Sequence, residues 1–371
     1  MRRQASAHAG ERLRGVCFKL ILILNLHIAP MIKISTPLHD TKACLGIDIS
    51  KAHLDACLLT ELPTRHRYRR KVRNTRSGIQ ELLGWLKEHH AEPIAAVLES
   101  TGHYGEMLAH LLHEAGHRVS VVNPGRVKQY AQSQGRHNKT DEVDAEIIAR
   151  FGFTQELPQW QPLPEAQATL RALLRRREDV SAQLQAEANR LEACPTDKGP
   201  VPQSLRRIIA LLSKELVRLE AAISEHIKTH PDLAADCARL EAIPGIGAKS
   251  AQWLVAELPG TLENSRAAAA WAGVAPRLSE SGTLRKPSRI GPAGNRFLRK
   301  ALYFPAISAR THNPRFKVFA DRLAERGLSK MAIIMAVLHK LVRTAFAILK
   351  NQSAYDPSHI SITPKTTQNP S

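Results

Sequence analysis

The sequence predicts a mixed α/β sheet domain over residues 41–160, a helical coiled-coil hairpin inserted over 161–235, and a mostly α-helical domain over 236–350. Three observations carry this. From residue 43 onward, short apolar runs alternate with amphipathic helical patterns, the signature of helices packed on a sheet. Residues 163 to 230 then form two long, charged, amphipathic stretches with a single break. Beyond residue 236, helical patterns rich in Lys and Arg continue to the end of the ordered-looking chain.

The elements follow in order. ACLGIDIS and AHLDACLL read as a strand hairpin, and the first is apolar enough to sit centrally. YRRKVRN is a charged strand that suits a sheet edge. SGIQELLGWLKEHH, residues 77 to 90, is a helix with Ser77 as its expected cap. PIAAVLES is a buried strand, and GEMLAHLLHEAG a helix ending at Gly116. RVSVVNP is a strand closed by Pro124, and DEVDAEIIARFG a helix whose first-turn acids favour its dipole. EAQATLRALLRRREDVSAQLQAEANRLEA and SLRRIIALLSKELVRLEAAISEHI, joined by the loop CPTDKGPVPQ, suit a spacer or dimerisation arm.

In ARLEAIPGIGAKSAQWLVAEL two helices flank a tight PGIG turn, a helix-hairpin-helix-like pattern. Gly245 and Gly247, followed by Lys249 and Ser250, would let backbone amides approach a phosphate; an ordinary glycine turn is the plainer alternative. Residues 351–371 form a polar tail.

Charge narrows the partners. Lys and Arg number 53 against 34 Asp and Glu, a formal charge of +19 with a pI near 10.1. That points to a polyanion, nucleic acid first and an anionic membrane surface second. An apolar fraction of 43% excludes a disordered polycation. The five cysteines, Cys17, Cys44, Cys57, Cys194 and Cys237, show no CxxC spacing, which argues against zinc or a disulfide framework and fits a reducing cytoplasm. KLILILNLHIA after the basic start resembles a signal peptide, yet it is too short to span a bilayer and contains Asn25 and His27. Residues 1–40 read as an extension, with Met31 as an alternative start, and no other stretch reads as a membrane span.

Within so basic a chain, HNKTDEVDAEIIARF places Asp141 and Asp144 three residues apart, on one face of a helix. Asp48 in GIDIS and Glu99 in VLESTG end two apolar strands, where an ionised group is costly unless paired or metal-bound. Singly these acids suit a turn, a loop acceptor and a helix cap. Together they form a hard-oxygen set able to hold two divalent cations, magnesium by preference, for phosphoryl transfer.

GIDISK, LESTG and KTDEVDAEIIARF, followed by PGIG, WAGVAPRLSESG and GNRFLRKAL, resemble the DEDD transposases of insertion sequences, the IS110 family, over residues 43 to 345. The resemblance implies an RNase-H-like, RuvC-like N-terminal domain whose Asp48, Glu99, Asp141 and Asp144 bind magnesium. It implies a C-terminal transposase domain with a serine nucleophile that forms a phosphoserine link to DNA. Ser281, directly before glycine in APRLSESG, matches that position, with Ser279 in the same loop as the alternative. Arg277, Arg285, Arg289, Asn295, Arg296 and Arg299 lie around this loop as candidate phosphate ligands. It further implies a dimer or tetramer through the helical arm, and a structured guide RNA from the element's flank. RYRRKVRNTR and RALLRRRED could hold such an RNA, in a bacterial cytoplasm close to the nucleoid. Two departures stand out: residues 1–40 have no counterpart, and Pro292 and Ala293 replace the serine and basic residue more usual there.

Rival expectations are a RuvC-like nuclease, in which the acids activate water and no covalent link forms, and an inactive remnant that binds nucleic acid by charge. A sugar or acetate kinase on a related fold would need paired-glycine phosphate loops, which the sequence lacks.

Overall fold

A computed structural model of the chain describes residues 43–60, 66–90, 92–99, 102–135, 141–281, 284–291 and 294–357. The expected extension over 1–40 and the tail beyond residue 357 lie outside them. The chain divides into two compact units, Met1–Gln161 and Pro162–Ser371.

In the first unit β1 (Ala43–Ile49), β2 (His53–Thr60) and β3 (His66–Arg73) form an antiparallel meander. β4 (Ala95–Glu99) runs parallel to β1, and β5 (Arg118–Val122) parallel to β4. The sheet order β3-β2-β1-β4-β5 fits an RNase-H-like domain. β1 is central because nearly all of it is apolar and buried, whereas β3, with only Val72 buried, takes the edge its charges suit. Helices α1 (Arg76–His89) and α2 (Glu106–Glu114) cover one face, packing Ile79, Leu82 and Leu108 on Leu45, Ile47 and Leu98. α4 (Asp141–Thr154) covers the other, packing Ile148 and Phe151 on Cys44 and Val97.

Two local expectations need correction. The cap of α1 is Thr75, not Ser77: Thr75 is extended, so its hydroxyl is free to accept from Gly78 N at 3.2 Å, while Ser77 already lies in the first turn. Pro124 does not merely close a strand. It opens a further helix, α3 (Pro124–Ser133), because proline at a first helical position gives up no needed N–H, and the Asn123 side chain accepts from Gly125 N at 2.8 Å.

In the second unit α5 (Glu165–Glu192) and α6 (Pro200–Thr229) form the long hairpin. α6 starts at Pro200, inside the segment expected to be loop, again because proline suits a first turn. Leu170, Leu174 and Ile223 near its base join one core with α7 (Pro231–Glu241), α8 (Ala248–Glu257), α9 (Ser265–Trp271), α10 (Arg296–His312), α11 (Pro314–Glu325) and α12 (Lys330–Asn351). Contrary to the expectation that no other stretch is a membrane candidate, α12 is long and apolar enough to cross one by length and composition alone. Its Val337, Leu341, Val342 and Phe346 are spent on this core.

The segment read as a serine-bearing loop is a hairpin of β6 (Arg277–Ser281) and β7 (Leu284–Arg289), so Ser279 and Ser281 stand on a strand. No strand signal is legible here because RLSES and LRKPSR contain almost no apolar residue to alternate. Backbone pairing of β6 with β7 defines this element.

Candidate active site and the neck of the serine hairpin

How α4 lies on the sheet sets three of the acids at one sheet end. Cys44, Gly46 and Asp48 alternate onto the α4 side of β1. A Cβ on Gly152 would meet Cys44 Sγ and Val97 Cγ2, both at 2.6 Å; one on Gly46 would meet Ala149 N at 2.2 Å and Ala145 O at 2.3 Å. Moving along β1 from Cys44 to Gly46 thus runs backward along α4, and its amino end, carrying Asp144, comes over the end of β1 at Asp48. In β4, Val97 stands opposite Gly46 and faces α4, so Glu99, two residues on, shares that face beside Asp48. Asp48, Glu99 and Asp144 are half-buried at this one sheet end. The Asp141 backbone begins α4, and its side chain lies outside the described residues.

The donors at this end are carboxylate oxygens rather than thiolates. Burial, then the neighbouring Cys57, pushes the Cys44 thiol far up, and burial, then Glu146, pushes Cys57 up to about 11. Both sulfurs on this face stay protonated at neutral pH, which leaves carboxylate oxygens as the donors. Among the described side chains no three His, Cys, Asp or Glu gather closely enough to form a metal cage.

Two acids here escaped the sequence reading. Asp55 stands directly opposite Asp48 across β1 and β2, and its carboxylate lies 3.2 Å from Lys71 Nζ. Glu146, almost fully buried, accepts from Arg67 Nη1 at 2.7 Å, Arg69 Nη2 at 3.0 Å and Arg150 Nε at 3.0 Å, tying edge strand β3 to α4. Burial pushes its carboxyl up, but the hydrogen bonds from Arg150, Arg67 and Arg69 outweigh that and hold it below the usual range. The available signal was an acid inside an apolar run, as in HLDACLL and DAEIIA.

The serine hairpin belongs to the other unit, and its two roots are clamped together. Gly294, at φ 102°, lies where a Cβ would meet Gly273 Cα at 2.2 Å, so the outgoing and returning chains touch backbone to backbone. Asn295 N donates to Trp271 O at 2.8 Å. Glu257, buried at the end of α8, holds both roots. Its carboxylate accepts from Asn295 Nδ2 at 2.6 Å, and its carbonyl accepts from Trp271 Nε1 at 2.9 Å. Arg175 of α5 binds the same carboxylate as a fork, at 2.7 and 3.0 Å, with its guanidinium over the Phe297 ring. Glu257 is an acid inside WLVAEL, and that apolar setting is the signal by which it stands out.

The candidate nucleic-acid ligands divide. Asn295 has a structural task besides the neck, capping α10 by accepting from Phe297 N and Leu298 N. Gly245, at φ 107°, is required by packing, since a Cβ would lie 2.7 Å from Ala309. Gly247 faces open space and caps α8, leaving its neighbourhood accessible. Lys249 is exposed and 3.0 Å from Glu220; Arg296 lies over the Phe297 ring. The side chains of Ser279, Ser281, Arg277, Arg285 and Arg289 lie outside the described residues.

The chain is similar to known proteins over most of its length. Residues 45–197 match a DEDD transposase family model of the IS110 class, and residues 237–321 a model described as transposase IS116/IS110/IS902 family. A pilin gene-inverting protein of Moraxella lacunata is 33% identical over 323 residues, covering 85% of this chain and 98% of that protein. A probable family 20 transposase of Pseudomonas aeruginosa is 25% identical, over 71% of this chain and 86% of its own. Thermus thermophilus RuvC bound to a Holliday junction aligns over 32% of this chain and all of its own, at 19% identity and a TM-score of 0.23.

Proposed function

Because the chain belongs to the IS110 family of insertion-sequence transposases, we propose that it cuts and rejoins DNA through Ser281, assisted by Asp48, Glu99, Asp141 and Asp144. The observation that carries this reading is the convergence of Asp48, Glu99 and Asp144 on one sheet end of a strongly basic chain. Ser281 Oγ attacks a backbone phosphorus. An Oγ–P bond forms, the P–O bond to one deoxyribose breaks, the serine proton passes to solvent, and the freed sugar oxygen takes up a proton. Attack by a strand hydroxyl on the phosphoserine then joins DNA and returns the serine.

Asp48, Glu99, Asp141 and Asp144 would hold two magnesium ions. When bound, these supply Lewis acidity that favours the serine alkoxide and the leaving oxygen. The acids also exclude a second anion from the site until a cation neutralises them, so DNA enters only the charged-balanced form. Arg277, Arg285, Arg289, Arg296 and Arg299 take phosphate oxygens, and Gly247 with Lys249 takes a further backbone contact.

The exposed Val201, Ile208, Leu211 and Val217 along α6 suit a helix of a second copy, supporting assembly as a dimer or tetramer through the arm. Guidance by a structured RNA held on β3 and the Arg-rich part of α5, and residence in a bacterial cytoplasm beside the nucleoid, complete the reading.

Covalent trapping tests it. Protein, element-end DNA, flank-derived RNA and magnesium are mixed, denatured and run on a gel. A protein–DNA band that vanishes in Ser281→Ala, persists in Ser279→Ala and requires Asp144 is the expected result. Cleavage without any covalent band would make the enzyme a hydrolytic nuclease.

A further inference from the structure

On the second unit, α9, α11, α12 and the segment after α12 surround a cavity of about 460 Å³. Its wall brings together three cations, Arg315, Lys340 and Arg343, and one carboxylate, Asp356, with the Ser265 and Thr344 hydroxyls and the Tyr355 ring. Three cations against one carboxylate leave the half-buried hollow with surplus positive charge, which is costly unless a further anion joins it.

Two further observations show that cost. Arg315 Nε is one of three side-chain polar atoms among the described residues that are buried without a hydrogen-bond partner. Burial, then Arg315, Arg322 and Arg343, lowers the Lys340 ammonium below its usual range. An orphaned guanidinium N–H beside crowded cations lacks an acceptor, and a tetrahedral oxyanion provides several. The site is also partly built. Arg343 Nε donates to Ser265 Oγ at 3.2 Å, and the Tyr355 hydroxyl is fixed by Asn313 at 2.9 Å.

We propose that this cavity holds a backbone phosphate of nucleic acid, with Lys340 and Arg343 as charge partners and Arg315 as donor. The inference rests on the DNA substrate proposed above but on neither the acids nor Ser281. Failure of covalent trapping would therefore leave it standing, and its own failure would leave the trapping result untouched.

The test measures binding of the full-length protein to a labelled duplex oligonucleotide across a range of salt. In Lys340→Gln and Arg343→Gln, affinity should fall about tenfold at low salt, and the log–log salt slope should shrink by roughly one for each charge removed. Ser265→Ala removes the Arg343 hydrogen bond and keeps the charge, so it should retain the wild-type slope. Thermal melts in inorganic phosphate form a second arm: phosphate should raise the wild-type Tm more than that of Lys340→Gln. Wild-type slope and affinity in both charge variants would overturn the proposal. Phosphate protection lost in the variants while DNA binding stays unchanged would also overturn it, leaving a site for a free anion only. Equal loss in Ser265→Ala would do the same, because the effect would then be one of folding.

Discussion

Among the described residues each unit buries one glutamate, Glu146 against three arginines and Glu257 against one, and the two are held differently. Glu146 ties β3 to α4, but backbone pairing already joins β3 to β2, and close packing at Gly46 already seats α4 on β1. Its partners Arg67, Arg69 and Arg150 are 49%, 38% and 31% exposed and can turn to water. Glu257 joins α5, α8, the end of α9 and the start of α10, segments with no shared ladder. The same chemistry trims a sheet in one unit and supplies the joint itself in the other. A buried carboxylate matters most where regular backbone pairing stops.

The sharpest way to break this comparison is Glu257→Ala. It leaves Arg175 and the Asn295 amide facing an empty site and should cost about 3 kcal/mol, read from chemical unfolding of the second unit's helices. Glu257→Gln, which keeps an acceptor, should recover part of that loss. An Ala variant as stable as wild type would remove the joint. Glu146→Ala should be milder, about 1–2 kcal/mol, because its arginines regain water. Equal losses in the two alanine variants would erase the distinction.

A pH series sharpens the Glu146 side. Its folded carboxyl lies below its unfolded value of about 4.3, so its contribution is fully present above that value and lost as pH falls through the lower folded one. The Tm gap between wild type and Glu146→Gln should therefore be widest near neutral pH and close on acidification. A gap that stays constant down to strongly acid pH would show that charge is not what Glu146 provides.

The smallest expected effect concerns the PGIG turn. Gly247→Ala meets open space at an ordinary φ and should move stability by less than ~0.5 kcal/mol. If DNA backbone approaches there, its affinity for DNA should still drop. Gly245→Ala, at φ 107° against Ala309, should be clearly destabilising. A Gly247→Ala variant with unchanged DNA binding would reduce the turn to helix packing alone.

Much of the fold was legible. The apolar β1, the charged edge strand β3 and the long helices carry strong periodicity, which burial alone produces. What escaped was set by backbone or by single charges. α3 hides behind Pro124, which reads as a stop but starts a helix. The β6–β7 hairpin holds through main-chain pairing with few apolar side chains. Asp48 and Glu99 were conspicuous as acids ending apolar strands, whereas Asp55, Glu146 and Glu257 lay inside apolar runs as isolated interruptions.

By itself the sequence determined the chemistry available: a basic chain, hard-oxygen acids at strand ends and a helix mouth, and a serine flanked by arginines. Those depend on residue type and local spacing, which the sequence states directly. Tertiary structure alone decided which acids meet and which only brace. Strand register and the direction in which α4 crosses β1 bring Asp144 over Asp48 and turn Glu146 toward β3. The touching glycines, Gly273 and Gly294, with Glu257 hold the serine hairpin at its roots. Such pairings join residues far apart in the chain, and close packing, which no local pattern encodes, selects them.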